Sequence, residues 1–122
     1  MVWIDIKDST PIYEQIVNQF KNLIVRGALS TDEKIPSVRN LAMELSINPN
    51  TIQKAYAELE RQGYIYTVKG RGNFVSPREE LMEIKKSEIM EHIEAVAVEA
   101  EKSGVDINHL IDYLRSRNKS ED

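Results

Sequence analysis

Two short helices in tandem constrain the fold of this chain more than any other feature. The stretch Ile35–Leu59 contains two helical patterns separated by a few residues. Ser37 suits the N-cap of the first helix, because its hydroxyl can accept a hydrogen bond from a free backbone N–H. Asn48 suits the N-cap of the second, and Pro49 fits the first helical position, which needs no N–H donor. This stretch therefore predicts a helix-turn-helix.

The second of these helices has an apolar side and a polar side. Four apolar residues recur at i, i+3, i+4 and i+7, so they predict a core-facing side. They are Ile52, Ala55, Tyr56 and Leu59. The other side carries amide, hydroxyl and ammonium groups with one small residue, on Asn50, Thr51, Gln53, Lys54 and Ala57. Such groups suit the major groove of DNA, where base edges offer donors and acceptors.

A β-hairpin is predicted directly after the helix pair. Residues 64–68 and 73–75 are β-branched or aromatic runs, and the basic, glycine-rich segment Lys69–Gly72 separates them. Gly63 is a candidate for the end of the preceding helix. The predicted hairpin tip is a second place where we expect contact with phosphates.

A longer helix is predicted before the pair. Thr10 suits its N-cap, Pro11 its first turn, and Gly27 its end. Residues 2–6 are β-prone and predict a short strand or an extended arm. Three helices followed by a two-stranded hairpin describe a winged helix-turn-helix, so the predicted fold class is mainly α with a small β-hairpin.

The last third of the chain predicts two amphipathic helices. Gly104 ends the first, Asp106 caps the second, and residues 118–122 are predicted to be disordered. Two such helices cannot fully bury their apolar sides against each other, so we expect a second copy of the chain to cover them. We therefore predict a DNA-binding domain at 1–77 and a dimerisation segment at 78–122. The predicted dimerisation residues are Leu81, Ile89, Ile93, Val96, Ile107, Leu110, Ile111 and Leu114.

Charge is distributed unevenly along the chain. The net charge is −4 over 122 residues, which by itself does not favour binding to nucleic acid. Residues 34–78, however, carry seven Lys and Arg against three Glu, whereas residues 79–122 carry six against twelve acidic residues. The helix pair and the hairpin thus form a basic segment between acidic flanks, as expected of a local phosphate-facing surface.

Composition excludes several classes of function. The chain has no cysteine, which removes disulfides, thiolate catalysis and thiolate zinc sites. No apolar run reaches the roughly 20 residues of a membrane span, and no signal peptide is visible, so we expect a cytoplasmic protein. No catalytic or cofactor motif is present, and neither an enzyme nor a cofactor is predicted. A metal site from His92 and His109 with Glu88 or Asp112 is disfavoured, because exposed helical histidines are far commoner.

The motifs together resemble the GntR family of transcriptional regulators, and within it the small YtrA-like branch. The resemblance covers roughly residues 9–76 and rests on Pro11–Ile16, Ile35–Arg39 with Leu41 and Ala42, Asn48–Thr51, Ala55 and Tyr56 with Leu59, Glu60 and Gly63, and Lys69–Gly72 with Phe74 and Val75. It implies a cytoplasmic homodimer that binds a pseudo-palindromic operator in double-stranded DNA, usually as a repressor and often near transporter genes. It assigns no small-molecule effector, since the chain has no large C-terminal domain.

The predicted DNA-binding residues occupy the starts of both helices of the pair and the tip of the hairpin. They are Ser37, Arg39, Asn48, Asn50, Thr51, Gln53, Lys54, Lys69, Gly70 and Arg71. Arg39 is included because its family counterpart contacts DNA. Gln53 can bond an adenine edge, while Lys54 can reach guanine or a phosphate, and the sequence leaves both open. The alternative function is a winged-helix module for protein interaction without specific DNA reading.

Overall fold

The computed structural model describes residues 2–120, with side chains as far as residue 118. Within these residues the chain forms five helices and one two-stranded antiparallel sheet, as the sequence predicts. In chain order they are α1 (Ile12–Val25), α2 (Val38–Leu45), α3 (Pro49–Arg61), β1 (Ile65–Val68), β2 (Gly72–Val75), α4 (Arg78–Ser103) and α5 (Ile107–Ser120). The chain divides after Ile84 into two compact units. The first residues of α4 belong to the first unit and the remainder to the second.

Both predicted caps of the helix pair are confirmed. The Ser37 hydroxyl accepts a hydrogen bond from the Asn40 N–H at 3.1 Å, and the Asn48 side chain accepts one from Asn50 at 2.8 Å. Pro49 occupies the first turn of α3. These bonds satisfy backbone donors that would otherwise lack partners, so α2 and α3 begin where local chemistry predicts.

The predicted cap of α1 is wrong. Pro11, not Thr10, is the N-cap of α1, and no side-chain cap bond is formed. Thr10 instead donates its N–H to Asp8 at 2.9 Å, and its carbonyl accepts a hydrogen bond from the Gln15 amide at 2.9 Å. The chain before α1 thus makes a local turn around Asp8, which competes with capping.

The core of the first unit lies between α1, α2, α3 and the hairpin. Phe20 and Tyr56 meet edge to face with ring centroids 5.7 Å apart, and the Tyr56 hydroxyl donates to the Pro36 carbonyl at 2.7 Å. Tyr56 is buried, which confirms its predicted place on the core-facing side of α3, and Tyr64 is buried as well. The hydroxyl bond of Tyr56 fixes the start of α2 against the middle of α3.

The hairpin is widened by the segment that precedes α2. Strands β1 and β2 pair antiparallel, with Ile65 opposite Val75. On the other side of β2, Lys34 forms a bridge with Phe74. The Tyr66 hydroxyl also donates to a carboxylate oxygen of Asp32 at 2.7 Å. The wing is therefore held to residues 32–35 as well as to α3.

Residues 2–5 form an extended arm, which is one of the two predicted alternatives. Gln15 is buried; its amide donates to the Asp5 carbonyl at 3.0 Å and its oxygen accepts from the Asp5 N–H at 2.9 Å. Gln19 forms the same reciprocal pair with the backbone of Trp3. The glutamines of α1 thus take the place of a strand partner, with Val2 buried and Trp3 exposed.

The second unit consists of the remainder of α4 and of α5. Gly104 follows α4 with φ +74, and the Asp106 carboxylate caps α5 by accepting from the Asn108 N–H at 2.9 Å. The helix α5 extends to Ser120, and the predicted disorder of residues 118–122 stays a prediction. Residues 121 and 122 lie outside the described residues.

Candidate nucleic-acid interface

The first two turns of α3 expose the predicted polar side. Asn50, Gln53 and Lys54 are exposed and Thr51 is half-buried. The apolar residues of the same helix are buried, as predicted for Ile52, Ala55, Tyr56 and Leu59. The helix therefore presents amide, hydroxyl and ammonium groups to solvent, while its opposite side is buried in the core. This is the arrangement needed for reading the edges of DNA bases.

The start of α2 adds one exposed cation beside this surface. Arg39 lies in the first turn of α2 and is exposed, and Ser37 is exposed even though its hydroxyl caps the helix. The bond from Tyr56 to Pro36 holds this turn against α3 at 2.7 Å. Within the described part of the chain, Arg39 has no ion-pair partner.

The tip of the wing exposes two cations around a tight turn. Lys69 and Arg71 are exposed, and Gly70 between them has φ +79, a conformation that glycine adopts without strain. The Arg71 N–H donates to the Val68 carbonyl at 2.9 Å and closes the turn. The predicted wing residues therefore come together in one exposed turn, with glycine permitting a close backbone approach.

The structure adds a cation to the wing that the sequence did not single out. A Cβ atom placed on Gly72, where φ is +128, would lie 2.9 Å from Cε of Lys34. The Lys34 side chain therefore crosses the wing at the start of β2. The bridge between Lys34 and Phe74 that places it there joins residues far apart in sequence, and no local pattern predicts it.

A second contact absent from the sequence prediction involves Lys54. Its ammonium nitrogen lies 3.9 Å from the centroid of the Tyr13 ring on α1. A cation at this distance is attracted to the negative face of the ring. Lys54 of the second turn of α3 thus has an aromatic partner on α1.

The charges along α3 are polarised. The cationic group of Lys54 belongs to the N-terminal half, where the helix dipole also favours anions. Glu58 and Glu60 belong to the C-terminal half. Hydrogen bonds from Arg61 and Gln62 lower the pKa of Glu58 to about 2, so this carboxylate stays charged at neutral pH. Lys54 and the helix N-terminus therefore favour anions at the start of α3, whereas at its end Glu58 is paired with Arg61.

The second unit carries a wholly apolar groove between α4 and α5. The groove has a volume of about 440 Å³ and is lined by Ile89, His92, Ile93, Val96, Ala97, Ile107, Leu110, Ile111 and Leu114. Seven of the eight predicted dimerisation residues line it. Leu81 does not, because it is only 3% exposed and belongs to the core of the first unit.

Two other properties bear on function within the described residues. No group of three or more His, Cys, Asp or Glu residues there comes together to hold a metal ion. No helix among them is long and apolar enough to cross a membrane.

Comparison with known proteins places this architecture in a family. Residues 12–75 match the profile of the bacterial regulatory proteins of the gntR family. The chain is 42% identical over 117 residues to the HTH-type transcriptional repressor YtrA of Bacillus subtilis, covering 94% of this chain and 90% of the relative. Three helices with a wing and an exposed recognition helix define a winged helix-turn-helix DNA-binding protein. The chain belongs to the GntR family of transcriptional regulators.

Solved structures agree with this assignment. A GntR family transcriptional regulator from Listeria monocytogenes is 36% identical with a TM-score of 0.62, over 90% of this chain and 97% of that one. The DNA-binding part of AraR, solved in complex with operator ORX1, is 32% identical with a TM-score of 0.55, over 62% of this chain and 95% of that one. The resemblance inferred from the motifs is confirmed, and the relatives are regulators rather than enzymes.

Proposed function

We propose that this protein is a cytoplasmic homodimeric repressor that binds a pseudo-palindromic operator. The observation that carries the proposal is that α3 exposes a polar side while its apolar side is buried in the core. Similarity to a transcriptional repressor over most of the chain supports repression by occupancy of DNA. A transporter operon, suggested by the family resemblance, is the first target to test.

The residues divide between reading bases and holding phosphates. Asn50, Thr51 and Gln53 face the groove from the first two turns of the recognition helix, where side chains normally reach base edges. The phosphate contacts come from the start of α2 and the wing tip, and from the cap of α3. These contributions come from Ser37, Arg39, Asn48, Lys69, Gly70 and Arg71, while Lys54 can reach either a base edge or a phosphate. Phosphate contacts set the register of the protein, and base contacts supply specificity.

The DNA-binding function is tested by titrating a fluorescent duplex from the region upstream of the protein's own gene. We expect tighter binding to this duplex than to one of random sequence, with affinity falling steeply as salt rises. Replacement of Lys69 and Arg71 by alanine should reduce the salt slope by about two, because each removes one phosphate contact. Equal affinity for both duplexes at physiological salt contradicts a specific regulator, and a flat salt dependence favours a protein-interaction module instead.

The apolar groove of the second unit supports the proposed dimer. Ile89, Ile93 and Leu114 are each about half exposed, although such residues are normally covered when they form a contiguous apolar surface. A second copy of the same segment offers a matching apolar surface under two-fold symmetry. In such a dimer the two recognition helices would enter successive major grooves roughly 34 Å apart.

Dimerisation is tested in the full-length chain. Ile93→Lys places a charge in the apolar groove and should convert the dimer to a monomer in sedimentation analysis. Met90→Lys is the matched control, since Met90 is equally exposed on the same helix but does not line the groove. A dimer that survives Ile93→Lys, or one lost equally in both variants, contradicts the proposed interface.

A further inference from the structure

Contact between Tyr13 and Lys54 joins α1 to the recognition helix. Lys54 Nζ lies 3.9 Å from the ring centroid, well within the roughly 6 Å over which cation–π attraction acts. Tyr13 lies in the first turn of α1 and Lys54 in the second turn of α3. Within the described part of the chain, Lys54 forms no ion pair that competes for its ammonium group.

The position of the Tyr13 ring is itself well defined. The residue is half-buried and packs against the core of the first unit. Its hydroxyl donates to a carboxylate oxygen of Glu14 at 3.2 Å. That hydrogen bond and the nearby negative charge raise the pKa of Tyr13, so the phenol stays neutral at physiological pH. The ring is thus a fixed, uncharged platform for a cation.

The surroundings of Lys54 show towards which side of α3 its side chain turns. Lys54 has neighbours on both sides along the helix surface. On one side, Thr51 at i−3 and Glu58 at i+4 are half-buried; on the other, Asn50 at i−4 and Ala57 at i+3 are exposed, as is Gln53. The half-buried residues mark the flank of α3 that other parts of the protein cover. By reaching the ring on α1, Lys54 turns towards this flank and away from the side of Gln53.

We propose that Tyr13 is a positioning residue for DNA binding, holding Lys54 at the flank of the recognition helix so that it contacts a backbone phosphate rather than a base edge. The inference rests on the proposed DNA-binding function and settles the choice for Lys54 that the sequence left open. A lysine ammonium suits a phosphate because it acts as a point charge without a fixed fork of donors. Base reading then rests with the exposed amide side chains of Asn50 and Gln53.

The role of Lys54 is tested with the full-length Lys54→Met variant. The probes are a duplex selected by the wild-type protein from a random pool and a set of its single-base-pair variants. We expect the substitution to weaken binding by the same factor on every duplex and to reduce the salt slope by about one.

Two outcomes of this experiment separate the inference from the proposed function. If Lys54→Met loses discrimination at one base pair while the salt slope is unchanged, Lys54 reads a base and the inference is wrong. If the wild-type protein selects no sequence and shows no salt dependence, the DNA-binding function itself fails.

The role of Tyr13 is tested by comparing Tyr13→Leu with Tyr13→Phe. The leucine variant removes the ring and should weaken binding by about two- to fivefold, the range expected for an exposed cation–π contact. The phenylalanine variant keeps the ring and should bind like the wild type. In the Lys54→Met background, Tyr13→Leu should cause no further loss. An equal loss in both backgrounds shows that Tyr13 acts through something other than Lys54 and overturns the inference.

A measurement on the free protein distinguishes positioning from general stability. The ε-methylene protons of Lys54 should show an upfield ring-current shift in NMR spectra of the wild type and of Tyr13→Phe. The shift should disappear in Tyr13→Leu while the backbone spectrum shows that the fold is retained. Unshifted Lys54 protons in the folded wild-type protein contradict the inference.

Discussion

The two units of this chain differ in how far their apolar residues are exposed to solvent. In the first unit, Ile16, Phe20 and Leu59 have no exposed surface, whereas in the second, Ile89, Ile93 and Leu114 remain about half exposed. A unit that covers its own core can fold and bind as a single chain, while an uncovered apolar surface requires a partner. The contrast supports separate roles, with DNA reading in the first unit and association in the second.

The sharpest test of this contrast compares one substitution to alanine in each unit. Phe20→Ala should lower the free energy of unfolding by about 3–5 kcal/mol, because it leaves a cavity in a packed core. Ile93→Ala should cost far less when the chain is dilute enough to be monomeric, since its side chain is already exposed. Urea denaturation followed by circular dichroism measures both values. Similar costs for the two variants would contradict the contrast.

A smaller effect on stability is expected from the hydrogen bonds that hold the N-terminal arm to α1. Gln15→Leu leaves the Asp5 N–H and the carbonyls of Asp5 and Thr10 without their partner. We expect a loss of about 1–3 kcal/mol in the free energy of unfolding. Gln19→Leu is the matched control, because it removes a similar pair of bonds to Trp3 that are exposed to water. The prediction fails if thermal denaturation shows the same loss for both.

Two helix caps, one in each unit, sharpen the comparison further, because each side chain accepts one backbone hydrogen bond. Asn48→Ala removes the cap of α3 and should cost about 1 kcal/mol of global stability. Asp106→Ala removes the corresponding bond in the second unit, where we expect faster amide exchange in the first turn of α5 and little change elsewhere. Hydrogen exchange measured residue by residue checks both, and a global effect of Asp106→Ala would count against independent units.

The smallest expected effect is a pH dependence in the first unit. Hydrogen bonds from Arg61 and Gln62 lower the pKa of Glu58 from 4.5 to about 2. The folded state therefore holds the proton less tightly than the unfolded one, so this contribution is full above pH 4.5 and declines as pH falls towards 2. Glu58→Gln should flatten the stability profile over that interval, by little because the ion pair is exposed. An unchanged slope in acid denaturation would show that the pair contributes nothing.

Local chemistry made much of the fold predictable. The caps at Ser37 and Asn48, the buried side of α3 and the hairpin after Gly63 depend on residues close together in sequence, and the structure confirms all of them. The cap at Thr10 was mispredicted because Asp8 and Gln15 bind the N–H and the carbonyl of Thr10 and hold it in a turn before the helix. Capping rules do not rank such competitors.

The unpredicted features depend on contacts between distant residues. Lys34 reaches the wing because the connector before α2 pairs with β2. Tyr13 meets Lys54 because α1 packs beside α3. The helical pattern groups Leu81 with the apolar residues of α4, whereas the fold places it in the core of the first unit. Periodicity identifies an apolar side of a helix but not the partner that covers it.

The pairing of residues 32–35 with β2 also bears on the order in which the chain is synthesised. Asp32 also hydrogen-bonds Tyr66 of β1, which is 34 residues away in sequence. The ribosome releases the N-terminal residues first, so the connector and the three helices emerge before the hairpin does. The backbone hydrogen bonds of residues 32–35 to β2 can form only after the hairpin has been synthesised. The proposed DNA-binding surface is therefore completed last, at the wing, and nascent chains that stall before Val75 lack this part of it.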